Sequence, residues 1–109
     1  MSVWILFNTM LKPAVESPAL LRRRYQFGGK VQGVGFRYTA RNIAMRHNVT
    51  GYVKNLCDGK VELVLEGPVD EVQNVIEAVK ERMGDYIRRV EELDMPATGE
   101  FAYFSIRHC

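Results

Sequence analysis

The stretch RYQFGGKVQGVGFRYTARNIAMRH, residues 24–47, changes its hydrophobic period part-way along, and that change decides the fold. Up to Val31 it alternates. Tyr25, Phe27 and Val31 fall on one face and Arg24, Gln26 and Lys30 on the other, the pattern of a half-buried strand. Gly33 and Gly35 interrupt the alternation. From Phe36 to about His47 the apolar positions recur at helical spacing, with Phe36, Ala40, Ile43 and Ala44 on one face. Asn48 is placed to stop this helix, because asparagine tolerates the left-handed conformation just past a cap.

The segments beyond this unit repeat its logic. Gly51–Leu56 and Val61–Leu65 flank Cys57-Asp58-Gly59-Lys60, and Asp-Gly predicts a tight hairpin turn. Pro68–Met83 predicts a second helix, with Val72, Val75, Ile76, Val79 and Met83 as its apolar stripe. Pro68 suits its first turn, Asp70 and Glu71 its positive end, and Lys80 and Arg82 its negative end, before Gly84 closes it. Ile87–Leu93 and Phe101–Arg107 read as two more strands around a loop holding Pro96 and Gly99. The order is β-α-β-β-α-β plus an extra C-terminal strand. That is an α+β, ferredoxin-like split βαβ sandwich, with two helices on one face of an antiparallel sheet. Many functions use this plan, so it selects none alone. N-terminal to it, residues 1–21 contain Pro13 and Pro18 and keep no period. They read as an atypical leader to a domain spanning 22–109.

Composition narrows the classes. The 109 residues are 47% apolar and 26% charged, enough apolar surface for one core and too much for a disordered chain. Fifteen Lys and Arg against 13 Asp and Glu leave a net charge of +2, which gives no reason to expect a nucleic-acid or membrane partner. The longest apolar run, Val3–Phe7, is far short of the ~20 residues a spanning helix needs. Residues 1–11 lack the basic start and small-residue cleavage site of a secretory signal. Two cysteines, Cys57 and Cys109, are too few for a disulfide scaffold and point to a cytoplasmic setting, with pairing of the two left open.

Chemistry concentrates in two segments. In Gly29–Arg37 a strand ends, two glycines permit a tight turn and a helix begins. Backbone N–H groups of such a turn converge into an anion nest, and Arg37 adds a fork that fits two phosphate oxygens. The spacing alone equally fits a plain strand-to-helix turn with a surface arginine. The second segment, Gly51–Gly59, puts the neutral amide of Asn55 on a strand parallel to the first, where by itself it reads as a surface residue.

Together the two segments resemble the acylphosphatase family over residues 22–108. The match lies in Gly29–Arg37, in Gly51–Asn55 followed by Asp58-Gly59, in Val61–Leu63 leading to Glu66-Gly67, and in Phe104–Arg107. Gly28 and Asn48 depart from the usual pattern, and the leader has no counterpart. The resemblance implies hydrolysis of a small acyl phosphate to a carboxylate and phosphate, without metal or other cofactor. It implies Arg37 as the phosphate-binding catalytic arginine and Asn55 as the residue orienting the attacking water. The turn Gln32, Gly33, Val34, Gly35 and Phe36 becomes the phosphate cradle. A non-catalytic anion-binding module using the same cradle is the alternative, disfavoured because binding alone has no need of Asn55.

Other residues take plainer readings. His47 and His108 have no ligand spacing to the cysteines, so no metal site is expected. Arg41, one turn after Arg37, reads as a solvated helix residue, and Arg22-Arg23-Arg24 as a solvated cluster. Base-stacking RNA modules carry their Gly-Phe motif on a strand, whereas Gly35-Phe36 opens a helix here. A monomer is expected, with self-association through the apolar leader as the other outcome.

Overall fold

The computed structural model describes residues 19–108. In chain order these form β1 (Leu20–Gly29), α1 (Phe36–Ala44), β2 (Thr50–Asn55), β3 (Val61–Pro68), α2 (Val69–Met83), a 3-10 turn (Gly84–Tyr86), β4 (Ile87–Met95) and β5 (Phe104–Arg107). One sheet holds all five strands in the order β4-β1-β3-β2-β5. The first four pair antiparallel, and β5 joins the edge of β2 in parallel. Because β1 and β2 both run antiparallel to β3, they are parallel to each other with β3 between, as the split βαβ plan requires.

Both helices bury the stripes read from the sequence: Phe36, Ala40, Ile43 and Ala44 of α1, and Val72, Val75, Ile76, Val79 and Met83 of α2. They meet Tyr25 and Phe27 of β1, Val53 of β2 and Val61, Leu63 and Leu65 of β3 in one core. Each such large side chain contributes about 1.5–3 kcal/mol by leaving water. The core also fixes the backbone approach of β2 and β3. At Gly51, φ is +137° and a Cβ would lie 1.9 Å from the Val64 carbonyl oxygen, so only glycine fits.

Element ends differ from the expected ones for local reasons. β1 begins at Leu20, whose partner is Pro68, and stops at Gly29, where a register shift against β4 turns Lys30 and Val31 out of the ladder. α1 ends at Ala44, not His47. Its chain tightens instead, with the Arg46 and His47 N–H groups donating to Ile43 O and Ala44 O at 3.0 Å. Asn48 does not adopt the left-handed conformation expected of it, since every positive φ among the described residues belongs to glycine. Its N–H donates to Glu71 Oε1 at 2.7 Å, so α2 supplies the partner that a left-handed cap would have made unnecessary. β5 starts at Phe104 rather than Phe101 because residues 98–101 fold across the open face of the sheet.

That face is polar and closed. Glu62 and Glu66 of β3 are each only 7% exposed. Tyr52 Oη donates to Glu62 Oε2 at 2.7 Å and Gln26 Nε2 to Glu62 Oε1 at 3.1 Å. Burial and this bond push the Tyr52 hydroxyl up to about 12. Glu66 accepts from Arg22 Nε at 2.8 Å and from the Thr98 and Gly99 N–H groups at 3.3 and 2.7 Å. Burial alone would raise its pKa; Arg22 and the two amides outweigh burial and hold it below the ordinary 4.5. The expectation of a solvated arginine cluster is corrected here. Arg22 is sandwiched between Glu66 and the Phe101 ring, and Arg23 Nε pairs with Asp94 at 2.5 Å. Pairing rather than solvation satisfies these charges.

Among the described residues no helix is long and apolar enough to cross a membrane. Packing of the apolar run Val3–Phe7 and a bond between Cys57 and Cys109 both involve positions outside the described residues.

Candidate active site

The turn between β1 and α1 is fixed at both ends before any ligand is considered. The Lys30 N–H donates to Tyr86 O at 3.0 Å, and Val31 is fully buried. Gln32 then reaches across the molecule: its Nε2 donates to Leu56 O at 2.8 Å and to Lys60 O at 2.9 Å. This ties the turn to the β2–β3 hairpin. Gly33 and Gly35 take φ of +78° and +81°, with open space where a Cβ would stand, so conformation and not crowding selects glycine at both positions. Phe36 closes the turn, its buried ring 5.0 Å from that of Phe27.

α1 therefore starts at a fixed point. Its first turn carries no acidic residue and no side-chain cap, leaving the unpaired N–H groups and the positive end of the dipole directed at the turn. Arg37 follows the pinned Phe36. Asn55 is the last residue of β2, and Gln32 anchors the turn to the next residue's carbonyl. A cavity of about 120 Å³ is lined by Val31, Gly33, Gly35, Phe36, Arg37, Tyr38 and Asn55. That is the scale of a small anion, well below the ~300–1,000 Å³ of a drug-sized ligand site.

Most of the residues singled out from the sequence thus line one wall. Gln32 and Val34 do not: the Gln32 side chain is committed to the hairpin, and Val34 packs against the core. Arg41 is half-buried rather than fully solvated, its guanidinium 5.3 Å from the centre of the Tyr38 ring. Among the described residues no three His, Cys, Asp or Glu side chains converge.

The structure adds two residues that sequence reasoning missed. His108 Nδ1 lies 3.4 Å from Arg37 Nη1. A guanidinium has only donors, so a hydrogen bond across this contact has Nδ1 as its acceptor. The parallel register ends with Lys54 paired to Arg107, the residues just before Asn55 and His108. That juxtaposition depends on β5 adding parallel to β2, which no local pattern encodes. Tyr38, the second, is 60% exposed beside Arg37.

A chain with a nested turn, a forked cation and a neutral amide around a phosphate-sized cavity invites comparison with phosphate-handling enzymes of this fold. The acylphosphatase family model matches residues 23–106. The chain belongs to the acylphosphatase family. The acylphosphatase of Salinibacter ruber is 46% identical over 82 residues, covering 72% of this chain and 84% of that protein. The acylphosphatase of Pyrobaculum islandicum is 46% identical over 90 residues, covering 79% and 93%. The crystal structure of the acylphosphatase from Bacillus subtilis superposes with a TM-score of 0.72 at 34% identity, over 80% of this chain and 98% of that one. Membership makes this chain an enzyme, a hydrolase of acyl phosphates.

Proposed function

We propose that Arg37 and the backbone N–H groups of the Gly33–Phe36 turn bind the phosphoryl group, and that Asn55 orients the water that attacks it. The observation that carries this reading is that Arg37 and Asn55, on different elements, line one cavity together with Gly33 and Gly35, the two left-handed glycines of the turn. The Arg37 fork engages two phosphoryl oxygens and the nest takes the remaining charge. In a loose transition state charge spreads over those oxygens, and pre-aimed donors stabilise it without reorganising. Asn55 has no useful basicity; its side-chain oxygen accepts a hydrogen bond from water and sets the line of attack. The water oxygen forms the new bond to phosphorus as the bond from phosphorus to the acyl oxygen breaks. The carboxylate departs with the electron pair, stable at neutral pH without a general acid. The water's proton passes to a phosphoryl oxygen. His108 helps to hold the Arg37 guanidinium through its 3.4 Å contact.

The same reading has the enzyme acting as a monomer in the cytoplasm on a small acyl phosphate, without metal, cofactor or nucleic acid, and with 22–109 as the functional domain. The test is hydrolysis of benzoyl phosphate with and without chelator. Full turnover in EDTA, with competitive inhibition by inorganic phosphate, is expected. Activity that disappears in EDTA and returns with a divalent metal would replace this mechanism with another.

A further inference from the structure

We propose that Tyr38 is the acyl-side platform of the site and biases the enzyme toward acyl phosphates with flat, apolar acyl groups. The inference rests on the phosphate-binding reading of Arg37 and Asn55 and adds a substrate preference to it.

Of the residues lining the cavity, Val31 and Phe36 are spent on the core, at 0% and 2% exposure, and Gly33 and Gly35 present no side chain. Arg37 and Asn55 are polar. Tyr38 alone among them offers a large ring to solvent, at 60% exposure, and it follows Arg37 directly on α1. A phosphoryl group held by Arg37 and the turn has its acyl substituent directed out of the cavity. There the substituent meets either water or this ring. The ring is also held in place. Arg41, one helical turn on, sets its guanidinium 5.3 Å from the ring centre, and its Nε is buried with no hydrogen-bond partner among the described residues. The cation lies against the aromatic ring, and each restrains the other. A steadied ring on a helix loses little freedom when a second flat group packs against it in an offset or edge-on arrangement. An acetyl group is too small to use that surface; a benzoyl group covers it.

The experiment compares kcat/KM for benzoyl phosphate and acetyl phosphate in the wild type, Tyr38→Ala and Tyr38→Phe. Using the ratio of the two substrates cancels their different intrinsic reactivity. In Tyr38→Ala the benzoyl-to-acetyl ratio should fall about threefold to tenfold, the worth of one aromatic pair. The change should reside mainly in KM, as expected for contact with a part of the substrate that does not react. Tyr38→Phe should keep the wild-type ratio, since the ring and not the hydroxyl is the platform. Inorganic phosphate has no acyl group, so its inhibition constant reports on the cradle independently of Tyr38. An unchanged ratio in Tyr38→Ala, or a loss shared equally by both substrates, overturns the platform while leaving the phosphate reading intact. Failure of the wild type to hydrolyse either substrate would remove both.

Discussion

The Gln32 carboxamide, donating to Leu56 O and Lys60 O, holds the β1–α1 turn against the strand end that carries Asn55. Gln32→Ala removes one of two donors from each carbonyl, which keep the Gly59 and Leu56 N–H groups, and should cost about 1 kcal/mol in chemical denaturation. It should also raise KM several-fold, because the turn and Asn55 lose their common anchor. Gly35 makes a different demand. Its φ of +81° strains any other residue, yet a Cβ there meets nothing within 4 Å. Gly35→Ala should therefore fold, losing about 1–2 kcal/mol of stability, with turnover falling more than that because the nest opens. If Gly35→Ala is destabilised but fully active, the turn's amides do not bind the phosphoryl group. At this scale the sequence was legible wherever a residue's conformation is written in its own type and neighbours, as with the left-handed turn at Gly33 and Gly35. Gln32 was read for its place in the turn, and its side chain proved to serve the hairpin, a partner set by tertiary geometry. His108 was unreadable for the same reason, since its neighbour is chosen by strand pairing.

Between elements, the apolar stripes of α1 and α2 matched the buried residues because helical period and core contact are the same fact seen twice. The opposite face of the sheet gave no such signal. Glu62 and Glu66 share one face of β3, and the 98–101 segment and the arginines of β1 and β5 close over them. Glu66 ties β3 to β1 and to that segment. Its lowered pKa means that its stabilising contribution is complete above the ordinary 4.5 and is lost as pH falls below it, through the folded-state value. Glu66→Ala should lose about 2–3 kcal/mol at neutral pH, since Arg22 and two amides lose a buried partner. It should also show a shallower loss of thermal stability between neutral pH and about pH 3 than the wild type. Equal acid sensitivity in the two proteins would show that Glu66 is not the group being titrated.

Across the whole molecule, the chain order brings the β1–α1 turn, the end of β2 and the end of β5 together, so three separated segments frame the candidate site. All three segments fall within residues 19–108, where the Ala19 carbonyl accepts from the Val69 N–H at 3.1 Å and Leu20 pairs with Pro68. A chain beginning at Ala19 should hydrolyse benzoyl phosphate at the wild-type rate, and a folded but inactive product would place the leader in the active site. The central claim is the division of labour between Arg37 and Asn55, and calorimetric titration of inorganic phosphate into Arg37→Ala and Asn55→Ala, alongside their kcat values, tests it most directly. Arg37→Ala should lose both phosphate binding and turnover, the latter by about 100-fold to 1,000-fold or more. Asn55→Ala should bind phosphate with near-wild-type affinity while kcat falls by a similar factor, the pattern of a group needed chiefly in the transition state. An Asn55→Ala enzyme that turns over normally, or one that fails to bind phosphate, would contradict the account.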